Sequence, residues 1–157
     1  MTEALRQSRP LRRSWAGDLD AATLYELLRL RVEVFVVEQR CPYPELDGQD
    51  LLAGTRHFWF EDADGRVIAT LRLMEDHSGG RTSFRIGRVC TDPAARGRGY
   101  AARLLQAALV DVGDHPCHLN AQSHLSEMYT RHGFSVSGAE FLEDGIPHVP
   151  MSRTVRS

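Results

Sequence analysis

The spacing of hydrophobic positions changes several times along the chain, and each change marks an element. Residues 11–15 read as a first strand, and Asp18 and Asp20 stand where they could cap a helix. Between residue 21 and about residue 38, Leu24, Leu27, Leu30, Val34 and Val37 recur at helical spacing. The closing Val34-Phe-Val-Val37 would also suit a strand, which leaves the end of that helix open. Residues 41–54 carry two prolines and several acids and predict an ordered loop near the surface. Residues 57–61 and 66–75 predict two strands joined by a turn at Asp64-Gly65. Val67, Ala69, Leu71 and Leu73 fall on one face of the second strand and Arg72 on the other.

The strand at residues 84–91 breaks its own alternation. Phe84 and Ile86 share a face, and Val89 then falls out of phase. An extra residue at Gly87 would restore the phase as a β-bulge; the other reading is an incidental glycine. From 99 to 112 the pattern is plainly helical, with Ala101, Leu104, Leu105, Ala108, Leu109 and Val112 on one stripe. Gly113 and Pro116 stop it. A short strand over 117–122 and a helix over 123–132 follow, with Gly133 suited to a left-handed C-cap and Phe134 to the core.

This alternation predicts one α/β domain over residues 11–157 behind a polar tail at 1–10. A length of 157 residues suits a single compact unit. Net charge of -2 argues against nucleic acid or an anionic membrane as partner. No apolar run approaches the ~20 residues of a membrane span, and the first ten residues lack an apolar signal core. Cys41, Cys90 and Cys117 are an odd number without motif spacing, which favours reduced thiols and a cytoplasmic location. No His/Cys spacing suggests a metal.

The chemistry concentrates in Thr91-Asp-Pro-Ala-Ala-Arg-Gly-Arg-Gly-Tyr100. Gly97 and Gly99 let the backbone approach a ligand as no residue with a Cβ could. The free N–H groups of the following helical turn make an anion site, to which Arg96 and Arg98 add charged donors. Such a loop cradles a pyrophosphate, or it is a glycine-rich helix start that binds nothing. Neither the dinucleotide fingerprint nor the P-loop pattern is present. All 19 basic residues are arginine, so a Walker lysine, a Schiff-base lysine and lysine-bound pyridoxal phosphate are excluded together.

Arg96-x-x-Gly99-x-Ala101 resembles the acetyl-CoA signature Q/R-x-x-G-x-G/A of the GNAT N-acetyltransferase superfamily. The run Gln122-Ser-His-Leu-Ser-Glu-Met-Tyr-Thr-Arg-His-Gly-Phe134 resembles a second hallmark, N-x-x-A-x-x-hydrophobic-Y-x-x-x-G-F. Gln122 replaces the usual Asn and Leu125 the usual Ala. Across residues 12–153, Leu30-Arg-Val-Glu-Val-Phe-Val-Val-Glu-Gln39, Cys41-Pro-Tyr43, Glu45-Leu-Asp-Gly48 with Asp50, and Glu143-Asp-Gly-Ile-Pro-His148 look like the ElaA-like branch of that superfamily. The resemblance implies a mixed, strongly twisted sheet of six or seven strands, flanked by helices and splayed at its middle for acetyl-CoA. It also implies acyl transfer from the CoA thioester to an amine of a small molecule or a protein, with a homodimer as the family expectation.

Under that resemblance Val89, Cys90, Thr91, Arg96, Gly97, Arg98, Gly99, Tyr100, Ala101 and Gln122 would contact acetyl-CoA. A backbone N–H beside Val89 or Cys90 would meet the thioester oxygen. Tyr129 would protonate the leaving thiolate, although core packing is its other reading. No Asp or Glu lies between Phe84 and Thr91 to act as base; His57 and His148 are preferred, with His124, Glu33 and Glu38 behind them. Arg72 and Arg88 would hold an anionic acceptor, or pair with Glu33, Glu38 or Asp47. Cys90 reads as inert packing. An acyl-CoA-binding domain without catalysis is the alternative to an enzyme.

Overall fold

A computed structural model describes residues 10–154 of the chain, so all of the polar tail except Pro10 lies outside the described residues. Twelve elements follow in order. Strand β1 is Arg12–Trp15, and helix α1 is Ala21–Val32, continued by one π-helical stretch, Glu33–Glu38. Strands β2 (Thr55–Glu61), β3 (Val67–Asp76) and β4 (Ser83–Thr91) form an antiparallel meander. Helix α2 (Tyr100–Val112), β5 (Cys117–Gln122), helix α3 (Ser126–Thr130), β6 (Ser135–Val136), β7 (Phe141–Glu143) and β8 (Ile146–Arg153) complete the chain.

The strands make one mixed sheet in the order β1-β2-β3-β4-β5-β8-β6, with β7 also on β8. Eight strands stand where six or seven were expected; β6 and β7 are only two and three residues long, too short to leave a periodic signal. Helices cover both faces. Phe58, Phe60, Leu71, Leu73, Phe84 and Ile86 pack beneath Leu104, Leu105 and Ala108 of α2, closed by Phe134. Leu27, Leu30 and Val34 of α1 meet Trp59, Val67 and Cys90 on the other face. Burying each large side chain is worth about 1.5–3 kcal/mol, so the two layers hold the sheet from both sides.

Two irregularities decide which side chains face which layer. Between Phe60 and Glu61 the β2–β3 register slips by one residue. Val67 therefore turns to the α1 layer, away from the face of Ala69, Leu71 and Leu73 that simple alternation assigned to it. The second slip lies between Thr70 and Arg72, where Cys90 and Gly87 are the partners on β4. The bulge is thus at Arg88 and Val89, beyond Gly87, which keeps a regular partner in Arg72. Arg88 takes the left-handed φ of 54° that the extra residue requires, although it is not a glycine.

Helix α1 begins as its sequence suggests, with the Asp20 carboxylate accepting from the Thr23 N–H at 2.7 Å. Its valine-rich end continues into helix, widened to π geometry, and forms no strand. The 123–132 segment divides into a single tight turn, Ser123–Leu125, and the short α3. Gly133 caps it at φ 92° and Phe134 is buried against Tyr129. No helix of the described residues is long and apolar enough to cross a membrane.

Candidate active site

Strands β4 and β5 run parallel but pair only at Phe84 with Cys117 and Arg85 with His118. Beyond that rung they diverge, and the bulge at Arg88 and Val89 steers β4 further away. A cavity of about 350 Å³ occupies the wedge. Val89, Gln122, Leu125 and Tyr129 line its mouth, His148, Glu143 and Asp144 one side, and Arg72, Arg85 and Arg88 its floor. Tyr43, Asp47 and Gln49, from the 41–54 loop, form the opposite wall. The Cys41 thiol reaches the Asp144 carbonyl at 3.0 Å and ties that loop to the β7–β8 turn.

The structure therefore brings together Val89, Gln122, Tyr129 and His148 from widely separated stretches of chain. Tyr129 is buried, meets Phe134 edge-on at 6.2 Å between centroids, and has no hydrogen-bonded partner among the described residues. Burial raises the pKa of its phenol, so it keeps its proton throughout the neutral range. His148 donates Nδ1–H to the Ile146 carbonyl at 2.7 Å, which turns Nε2 towards the Glu143 carboxylate at 3.4 Å. Phe141 stacks on the ring.

Other expected site residues lie elsewhere. His57 does not line the cavity. Its ring is buried beneath the 41–54 loop, with Nε2 at 3.0 Å from the Asp50 carbonyl, and burial lowers its pKa. The Cys90 side chain points into the α1 layer, where burial pushes the thiol up to about 12, and the Tyr100 ring packs at a tilt against Phe60 in the core. For both, only the backbone is left to meet a ligand. Thr91, Arg96, Gly97, Arg98, Gly99 and Ala101 are likewise absent from the cavity wall; Thr91 ends β4, residues 96–99 belong to the separate loop at the head of α2, and Ala101 lies in the first turn of that helix.

That loop has the form its glycines suggested. Gly97 and Gly99 hold φ of 79° and 82°, and a Cβ on either would project into open space. Gly99 is the N-cap of α2, so the first-turn N–H groups face outward with the helix dipole behind them. Arg96 is held in place by Glu38, through two 2.6 Å contacts, and by the Thr91 carbonyl at 3.1 Å. Glu38 is thus a partner of the loop, and the hydrogen bonds from Arg96 hold its carboxyl below the usual range.

Two of the three floor arginines are paired, each with the expected Asp47 and with one acid that was not expected. Arg72 binds Asp47 and Asp50, Arg88 binds Glu45 and Asp47, and the fully buried Arg31 binds Glu45 and Asp50. Glu33 pairs with Arg29 instead. Burial works to raise the carboxyls of Asp47 and Asp50, but the hydrogen bonds from Arg72 and Arg31 outweigh it and both are lowered. Sequence reasoning did not single out Glu143 as a partner of His148, or Glu45 and Asp50 as anchors of the floor. Only their acidic character and the spacing of the loop were visible.

These shifts set the pH response of stability. The carboxyls of Asp47 and Asp50 bind protons more readily unfolded than folded, so their stabilisation is present above pH ~4 and lost as pH falls further. Buried His57 acts earlier with the same sign: below about pH 6.5 the unfolded chain takes up a proton that the folded chain resists. Urea denaturation should show stability falling from pH 7 to 5, and the His57→Gln variant a shallower fall over that window.

Comparison with known proteins agrees with this geometry. Residues 26–155 match the family described as Acetyltransferase (GNAT) domain. A UPF0039 protein of Mycobacterium tuberculosis is 66% identical over 153 residues, covering 98% of this chain and 94% of the relative. Protein ElaA of Escherichia coli is 38% identical over 145 residues, covering 88% and 92%. The crystal structure of Escherichia coli ElaA superimposes with a TM-score of 0.84 at 34% identity, covering 93% of this chain and 99% of that one. An acyl-CoA N-acyltransferase from Pseudomonas aeruginosa gives 0.81 at 44% identity, covering 92% and 99%. With its splayed β4–β5 pair and glycine loop at the head of a helix, this chain belongs to the GNAT acetyltransferase family, on its ElaA-like branch.

Proposed function

We propose that the chain transfers an acetyl group from acetyl-CoA to an amine by direct attack, both substrates being bound at once. The observation that carries this reading is the wedge itself: a cavity between two parting strands, with a left-handed glycine loop at the head of the adjoining helix. Gly97 and Gly99 leave room for a pyrophosphate against the first-turn N–H groups of α2, and Arg98 adds charge beside them. The unpaired edge of β4 offers amide groups to a pantetheine arm, and Gln122 faces it from the end of β5. Acetyl-CoA supplies an activated thioester; the rest is work for side chains and backbone.

The backbone N–H of Val89 or Cys90 donates to the oxygen that gathers charge as the nitrogen attacks. Nε2 of His148 accepts a proton from the acceptor's ammonium, freeing the lone pair that attacks, and Glu143 holds the resulting imidazolium. When the C–S bond breaks, the Tyr129 hydroxyl gives its proton to the departing thiolate. Burial keeps that phenol protonated through the neutral range, so the proton is in place when the thiolate leaves.

Calorimetry with acetyl-CoA tests the reading. Micromolar binding is expected, and Gly99→Glu should weaken it about 10- to 100-fold by placing a carboxylate in the anion site. Thermal melting of the variant separates this from misfolding. CoA-release assays across amines then identify acceptors. Binding without release on any amine would favour an acyl-CoA-binding domain without catalysis; no binding would refute the cradle.

A further inference from the structure

The cavity is charged unevenly from one end to the other. Its narrow end is the rung where Arg85 and His118 pair, and His118 contacts Ser152 through Nδ1 at 3.0 Å. Its mouth, four residues along β5, is Gln122 paired with His148, and the acidic Glu143 lies beyond. Three guanidiniums line the floor, and two are neutralised: Arg72 by Asp47 and Asp50, Arg88 by Glu45 and Asp47. Arg85 is different. Its side chain is exposed and, among the described residues, has no ion pair and no hydrogen-bonded partner, and its neighbour on β3 is the apolar Met74. Two rungs further on, buried Arg72 leaves its Nε–H without an acceptor. The narrow end thus keeps one free cation and one unspent donor, while the mouth is acidic.

We propose that Arg85 binds an oxyanion of the acceptor, and that the acceptor is an elongated amine with a carboxylate or phosphate remote from its nucleophilic nitrogen. The inference rests on the acyltransfer reading only for which end reacts. Four residues of strand separate the Arg85–His118 rung from Gln122 and His148, on the order of 13 Å. An arginine side chain spans part of that distance. In an α-amino acid the ammonium and carboxylate share one carbon and cannot reach both ends. An ω-amino acid or an aminoalkyl phosphate can, and its ammonium would be drawn to the side of Glu143.

The test measures binding of ε-aminocaproate, its uncharged methyl ester and glycine by calorimetry, with and without saturating CoA. The acid should bind at least about tenfold tighter than its ester, the range expected for a charged hydrogen bond. Arg85→Gln should reduce that preference below about twofold while leaving CoA affinity unchanged. An aminoalkyl phosphate binding more tightly than the carboxylate would identify phosphate as the group recognised. Equal binding of acid and ester, a preference that survives Arg85→Gln, glycine binding as tightly as the longer acid, or no measurable binding of the acid would each overturn the proposal. Failure of CoA to bind would sink the acyltransfer reading instead, and the anion preference would still be read in its absence.

Discussion

Replacing Tyr129 by phenylalanine should lower kcat by about 10²–10⁴ and leave acetyl-CoA affinity and melting temperature nearly unchanged. The substitution removes one oxygen and keeps the ring that packs edge-on against Phe134. That hydroxyl has no partner among the described residues, so its loss leaves no orphaned donor or acceptor behind. What is lost is the proton for the departing thiolate. Steady-state turnover with an amine found in the CoA-release screen, compared with calorimetric affinity for acetyl-CoA, provides the measurement. Full turnover on every accepted amine would remove Tyr129 from the role of acid. A parallel loss of affinity would show that it binds the acyl arm.

Arg31→Ala should produce the largest stability defect in the chain, about 3–5 kcal/mol in urea denaturation. Arg31 is 1% exposed and donates to Glu45 at 2.8 Å and to Asp50 at 2.6 Å. Removing it leaves two carboxylates in a buried site, and the remaining cations, Arg72 and Arg88, are already shared with Asp47. The same change frees the 41–54 loop from α1, so the cavity wall formed by Tyr43 and Asp47 should loosen and acceptor affinity fall with stability. If Arg31→Ala cost under 1 kcal/mol, the network would be solvated in practice.

Local chemistry was legible in the sequence, and distant pairing was not. Gly97 and Gly99 were readable because a left-handed backbone leaves a glycine at a fixed offset from the helix it opens. The stripe of Leu104, Leu105, Ala108 and Val112 was readable because one face of α2 is buried along its whole length. The bulge was sensed from the phase of Val89 but placed one residue early, since a glycine marks an obvious candidate while Arg88 has to be held at positive φ by Glu45 and Asp47. His57 was misplaced for a similar reason. Its strand lies next to the edge strand β1 and not at the centre of the sheet, a loop covers that face, and no local pattern says where residues 41–54 fold back. The pairings of Arg31, Arg72 and Arg88 span 14 to 43 residues, and any acid in the loop would have satisfied the sequence equally well.

The arginine-lined floor also bears on the safety of the candidate site from the proposed reaction. A buried lysine sheds its proton readily and becomes a free amine, whereas a guanidinium does not. A lysine at Arg72 or Arg88 would thus stand beside the proposed thioester as a competing nucleophile, and its acetylation would cancel the positive charge that holds the 41–54 loop down. With arginine at all 19 basic positions, the folded scaffold offers no side-chain amine to the proposed acetyl transfer.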